Sequence, residues 1–284
     1  MPERTIAKVF RGTETRDGAG VRLIRVFSNR EAALLDPFLL FDAFGSEDSA
    51  DYLPGFPWHP HRGIETVTYM REGRVRHGDS LGNSGTIGPG DLQWMSAGSG
   101  IIHEEMPQLS PRGVSGFQLW VNLPAAEKMR DPEYRDAPAS AVPAVPVEGG
   151  EVRPFAGSFA GTAGPLVGIA REPAYFDVSL KAGATLSLPT PAEHTAFAYV
   201  YAGELGTAGG AVDYAGGTCL LFGPGEAAVL SAGPDGASFV FAHAQPLRES
   251  IAWGGPIVMN TREELEAAFR ELDEGTFIRK RKKA

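Results

Sequence analysis

Eleven residues, Gly88-Pro89-Gly90-Asp91-Leu92-Gln93-Trp94-Met95-Ser96-Ala97-Gly98, recur 135 positions later as Gly223-Pro224-Gly225-Glu226-Ala227-Ala228-Val229-Leu230-Ser231-Ala232-Gly233, with six positions identical and Asp91 replaced by Glu226. Upstream, Tyr69-Met70-Arg71-Glu72-Gly73 is matched at an offset of 130 by Tyr199-Val200-Tyr201-Ala202-Gly203. Self-similarity at a nearly fixed spacing marks a duplicated structural unit. The chain therefore has to fold as two copies of one small domain, and its 284 residues suit two domains of ordinary length. With 36 Gly and 22 Pro there is a turn signal every few residues, which favours short strands over helices. The expected fold class is all-β.

Strands are expected at Ala7 to Phe10, at Val21 to Phe27, in the apolar run Asp36 to Gly45, at Thr66 to Met70 and at Phe117 to Leu123. Pro124 to Gly150 holds seven Pro and Gly residues and no sustained period, so it reads as a linker. It divides the chain into domains at 1–130 and 131–284. One helix is expected near the end, where apolar positions 265, 268, 269 and 272 follow a cap at Asn260 or Thr261, with Glu264 three residues beyond Thr261.

Candidate chemistry gathers between His59 and Glu105, which holds four of the six histidines. Alternate residues of a strand share a face, so His59 and His61 project together, and so do His103 and Glu105. Three imidazoles and a carboxylate, without thiolate, suit Fe(II), Mn(II), Ni(II), Cu(II) or Zn(II) and leave positions open for a substrate. Parity turns Glu104 to the opposite face. Glu65 has the parity of His59 and His61 and competes with Glu105, but reaching the same ion needs a bend at Arg62-Gly63. His77 has no second ligand at strand spacing and is expected to hydrogen-bond in a strand or turn. In the second copy Pro189, Pro191 and Thr195 stand opposite His59, His61 and Glu65, and Ser238 and Val240 opposite His103 and Glu105. One metal site is therefore expected, in the first copy. His194 and His243 fall off the matching positions and are expected to be hydrogen-bonded structural residues.

Net charge is -9, and with the basic run Arg279 to Lys283 set aside the body is more acidic still. That argues against a nucleic-acid surface. The run itself is expected to be a solvated end. Cys219, the single cysteine, lies in the apolar run Cys219-Leu220-Leu221-Phe222 and is expected to be a buried small hydrophobe. No apolar run has signal-peptide or membrane-span character, so a cytoplasmic location is expected.

His59-Pro60-His61 with Glu65 and Gly73 resembles the first motif of cupins, small β-barrels. Trp94 stands where the later cupin histidine is usual, and the histidine is delayed to His103. With Phe56 to Val67, Pro89 to Gly98, Gly100 to Pro107 and Gly255 to Thr261, that departure resembles the pirin family over nearly the whole chain. The resemblance implies a bicupin with iron in the N-terminal barrel, an Fe(II) cofactor and the ligands His59, His61, His103 and Glu105. It tips the fourth ligand to Glu105 and leaves Glu65 as a structural carboxylate or one that orients a ligand imidazole. It also implies a protein that opens the ring of quercetin-like flavonols with O₂, Glu105 taking the substrate proton; a monomer is expected. The alternative implied by the same family is an iron-dependent or redox-sensing regulatory protein with a protein partner and incidental quercetinase activity.

Overall fold

The computed structural model describes residues 2–207, 210 and 212–279. The chain forms two compact units that do not follow a single cut. The first comprises Thr13–Ala33, Phe38–Ala139 and the chain from Leu247 onward; the second takes the residues up to Gly12, Leu34–Pro37 and Ser140–Pro246. An expected division at 130/131 takes no account of these exchanged ends. The expected linker is also more ordered than its Pro and Gly content implies. Glu133–Ala137 pairs with Leu92–Ser96 in the first unit, and Val145–Val147 pairs with Gly150–Ala156 in the second. Short edge strands tolerate prolines because their outer N–H groups need no ladder partner.

In the first unit, among the described residues, a seven-stranded sheet runs in the order Glu133–Ala137, Leu92–Ser96, Ile64–Glu72, Val114–Asn122, Phe38–Ser46, Val21–Phe27, Thr13–Asp17. A four-stranded sheet runs Phe56–His61, Ile101–Pro107, Val75–Asp79, Ser84–Ile87. All neighbours are antiparallel. Leu39, Ile64, Met95, Ile101 and Val258 form one buried cluster. The Ile257–Met259 strand also packs with the helix Arg262–Asp273 through Ile257, Met259, Ala268 and Phe277. That helix begins as expected: Thr261 Oγ1 accepts from Glu264 N, and the Glu264 carboxylate accepts from Thr261 N.

The second unit is built on a nine-stranded antiparallel sheet among the described residues. Its central strands, Thr195–Thr207 and Ala227–Ala244, carry Ala196, Ala198, Val200, Leu230, Phe239 and Phe241 into one core. The N-terminal strand Ile6–Arg11 closes an edge by pairing with Thr218–Phe222. Cys219, on that partner strand, is fully buried and unpaired as expected, and burial pushes its thiol well up.

Candidate metal centre

The turn between His61 and Ile64 decides which side chains meet. Gly63 adopts φ +76, a left-handed conformation open to glycine, and a Cβ there would lie 2.0 Å from the Val258 carbonyl oxygen. Lys128 locks the corner: its buried Nζ donates to Gly63 O, Asn122 Oδ1 and Val258 O. Burial lowers its pKa to about 7. The bend at Gly63 thus exists, and it delivers Glu65 away from the histidines. In the Ile64–Glu72 strand Thr68 faces the site, bonding Glu105, and Glu65 three residues earlier faces the other way. There its carboxylate accepts from Trp94 Nε1 (3.1 Å) and pairs with Arg130 (2.6 Å). Burial outweighs the Arg130 charge and pushes Glu65 up to about 7. Of its two expected roles Glu65 has the structural one, since it bonds no imidazole.

The histidines do converge. His103 lies directly across from His59 in the ladder and His61 across from Ile101. One ring nitrogen from each of His59, His61 and His103 lies within 4.8 Å of the others. His59 Nδ1 bonds the Pro57 carbonyl (2.9 Å) and His61 Nδ1 the Pro256 carbonyl (3.0 Å). A carbonyl only accepts, so both protons sit on Nδ1 and both Nε2 atoms present bare lone pairs. These two Nε2 atoms are 3.1 Å apart. Burial, and secondarily His59, lowers the His61 pKa to about 3, so the His61 ring is uncharged near neutral pH. Both nitrogens of His103 are buried without a partner. Three unsatisfied imidazoles facing one point fit a divalent cation, and the backbone carbonyls supply the outer bonds that orient such ligands.

Parity on the Ile101–Pro107 strand holds as well. Glu105 is buried and Glu104, turned outward, pairs with Arg76. Glu105 Oε1 accepts from Thr68 Oγ1 (2.8 Å) and Oε2 from Gln118 Nε2 (3.0 Å). It is not among the groups within 4.8 Å of one another. His77 pairs across from Glu105, and its ring packs 5.4 Å from that of His103. Gln93 Nε2 donates to its Nδ1, leaving Nε2–H toward Asp79 at 3.6 Å. It therefore hydrogen-bonds from its strand, as expected, though to Gln93 in the other sheet, and it stands beside the site.

A cavity of about 610 Å³ opens onto His59 and His61, with Phe56, Gln118, Trp120 and Trp253 among its lining. Trp120 meets the His61 ring edge-on at 5.0 Å, and its Nε1 is buried without a partner. Sequence reasoning passed over Gln118, Trp120 and Thr68, although Gln118 and Trp120 share one strand face by parity. It also passed over the role of Pro256, whose motif was visible but whose carbonyl partner lies 195 residues away.

Residues 20–121 match the family model described as Pirin, and residues 175–278 that described as Pirin C-terminal cupin domain. A Pirin-like protein from Caulobacter vibrioides is 45% identical across 98% of this chain and 100% of its own. A solved structure of quercetin 2,3-dioxygenase from Acinetobacter baumannii is 31% identical, covers 97% of this chain and 98% of its own, and superposes with a TM-score of 0.89. A bacterial pirin from Escherichia coli, solved in complex with nickel(II), shares the fold at 18% identity, covering 84% of this chain and 99% of its own with a TM-score of 0.62. Two cupin domains in tandem, each copy matched by its own model, are what the internal repeat encodes. The chain is a member of the pirin family.

Proposed function

We propose that this protein is an Fe(II)-dependent dioxygenase that opens the ring of quercetin-like flavonols. The observation that carries the reading is the pair of bare Nε2 atoms of His59 and His61, completed by the unpartnered His103, at the wall of a cavity of about 610 Å³. A cavity of that size suits a small organic molecule. The bound metal would supply a Lewis-acidic centre with open positions for a deprotonated hydroxyl and O₂. His59, His61 and His103 would hold it, with Glu105 as the fourth ligand. Glu105, kept in place by Thr68 and Gln118, would accept the substrate hydroxyl proton when it is not bound to the metal. Phe56, Trp120 and Trp253 flank the aromatic rings and exclude water, and Trp120 Nε1–H is a free donor for a substrate oxygen.

The test is anaerobic reconstitution with Fe(II), then oxygen uptake on a series of flavonols. Quercetin is expected to lose its long-wavelength absorbance in an O₂-dependent reaction that chelation abolishes. Turnover no faster than that of free metal overturns the reading, and metal-dependent capture of a partner protein beside it would favour the regulatory alternative.

A further inference from the structure

The second unit has lost the metal ligands but kept a cavity. It measures about 740 Å³ and is lined by Pro189 and Pro191, the positions that match His59 and His61. His243 reaches it from a corresponding place too. In the first unit Trp120 pairs across from Thr66; in the second His243 pairs across from Ala196, which matches Thr66 at the repeat offset of 130. The cavity is thus the second barrel's counterpart of the first barrel's site, with its chemistry replaced.

What replaces it is an imidazole pair. His194 and His243 both line the cavity, and their Nδ1 atoms are 3.0 Å apart. One must donate and the other accept, which leaves one Nε2 bare and one Nε2 protonated: an acceptor and a donor side by side. Behind the wall lies Arg4, 4% exposed, donating to Thr190 Oγ1 and to the carbonyls of Gly223, Pro191 and Ala192. These partners are all uncharged, and the Glu193 carboxylate offsets part of the guanidinium charge electrostatically. A buried guanidinium bonded to neutral groups leaves its charge to act on its surroundings. Burial holds both histidines below their ordinary pKa; at His194 the Glu193 charge opposes this and Arg4 adds to it more weakly, and at His243 first His194 and then Arg4 add to it. Glu172 and Glu226 line the cavity as well, so an acidic end is favoured at the histidines and not elsewhere. Leu166, Ile169 and Pro173 supply apolar wall. Beside them Arg171 and Glu172 hold φ +62 and +45, strained for residues with a side chain.

We infer that the second barrel binds a small organic acid with an apolar body, its acidic oxygen at the His194 and His243 pair and its carbon skeleton along Leu166, Ile169 and Pro173. The site is separate from the metal centre and does not depend on the proposed oxygenase activity.

Benzoate, cinnamate and 2-naphthoate, with cinnamyl alcohol as the uncharged control, are titrated calorimetrically into the full metal-loaded chain. The same is done with His59→Ala/His61→Ala, His194→Leu and Val167→Trp, whose site is a surface residue of the cavity lining that is 71% exposed. At least one acid is expected to bind with one equivalent per chain, in parent and His59→Ala/His61→Ala protein alike. His194→Leu and Val167→Trp should each weaken it tenfold or more, and the alcohol should bind at least tenfold more weakly. The inference is overturned if none of the acids saturates, or if binding survives both His194→Leu and Val167→Trp. It also falls if His59→Ala/His61→Ala takes up an equivalent of Zn(II) that His194→Leu removes, since the pair would then be a cation site.

Discussion

Two imidazole nitrogens held 3.1 Å apart with both their protons committed elsewhere are unfavourable neighbours until a cation sits between them. One equivalent of metal per chain is therefore expected after reconstitution, absent in His59→Ala/His61→Ala by elemental analysis; two equivalents surviving dialysis would refute the single site. The two carboxylates separate just as sharply. Glu65→Gln should keep its metal, and Glu105→Gln should lose affinity; the opposite pattern would make Glu65 the ligand. Glu65 also predicts a pH dependence. Its folded pKa of about 7 lies above the ordinary carboxylate value, so the folded state holds the proton more tightly. Its contribution is complete below about pH 4.5 and fades as pH rises through 7, by about 3 kcal/mol. Glu65→Gln should flatten that part of the stability curve, as read by denaturant unfolding at each pH. At this scale alternation was a good guide within a strand: it selected His59 with His61 and Glu105 over Glu104. It failed for Glu65 because a left-handed glycine lies between, and parity does not carry through such a turn.

The corner at Gly63 joins the Phe56–His61 strand, the Ile64–Glu72 strand and the Ile257–Met259 strand. Gly63→Ala is expected to destabilise by about 3 kcal/mol or more, from backbone strain and the collision with the Val258 carbonyl. Lys128→Met leaves Gly63 O, Asn122 Oδ1 and Val258 O without their shared donor and should cost about 2 to 4 kcal/mol in urea unfolding. A loss below about 1 kcal/mol would show that water replaces the ammonium. Strands and the capped helix were legible because period and capping residues are local. Lys128 was not, since a buried ammonium inside an apparent linker has meaning only through carbonyls 65 and 130 residues away.

The repeat revealed the two units, but no pattern within either copy shows that their ends are exchanged. Residues from Leu247 onward complete the first unit: Pro256 orients His61, and Glu271 and the Phe277 carbonyl hold the buried Arg62. A chain cut after Pro246 should bind Fe(II) at least tenfold more weakly and unfold at lower temperature. Full metal affinity in that fragment would show that the His61 tautomer needs no such carbonyl. Ile6–Arg11 likewise closes the second unit's sheet. This stitching also orders events in time. A ribosome that has released His59, His61 and His103 has still to emit more than 150 residues before the Pro256 carbonyl is available. An incomplete chain therefore presents His61 without the carbonyl that orients it instead of a finished site, and metal acquisition becomes a late step that follows synthesis of residue 256.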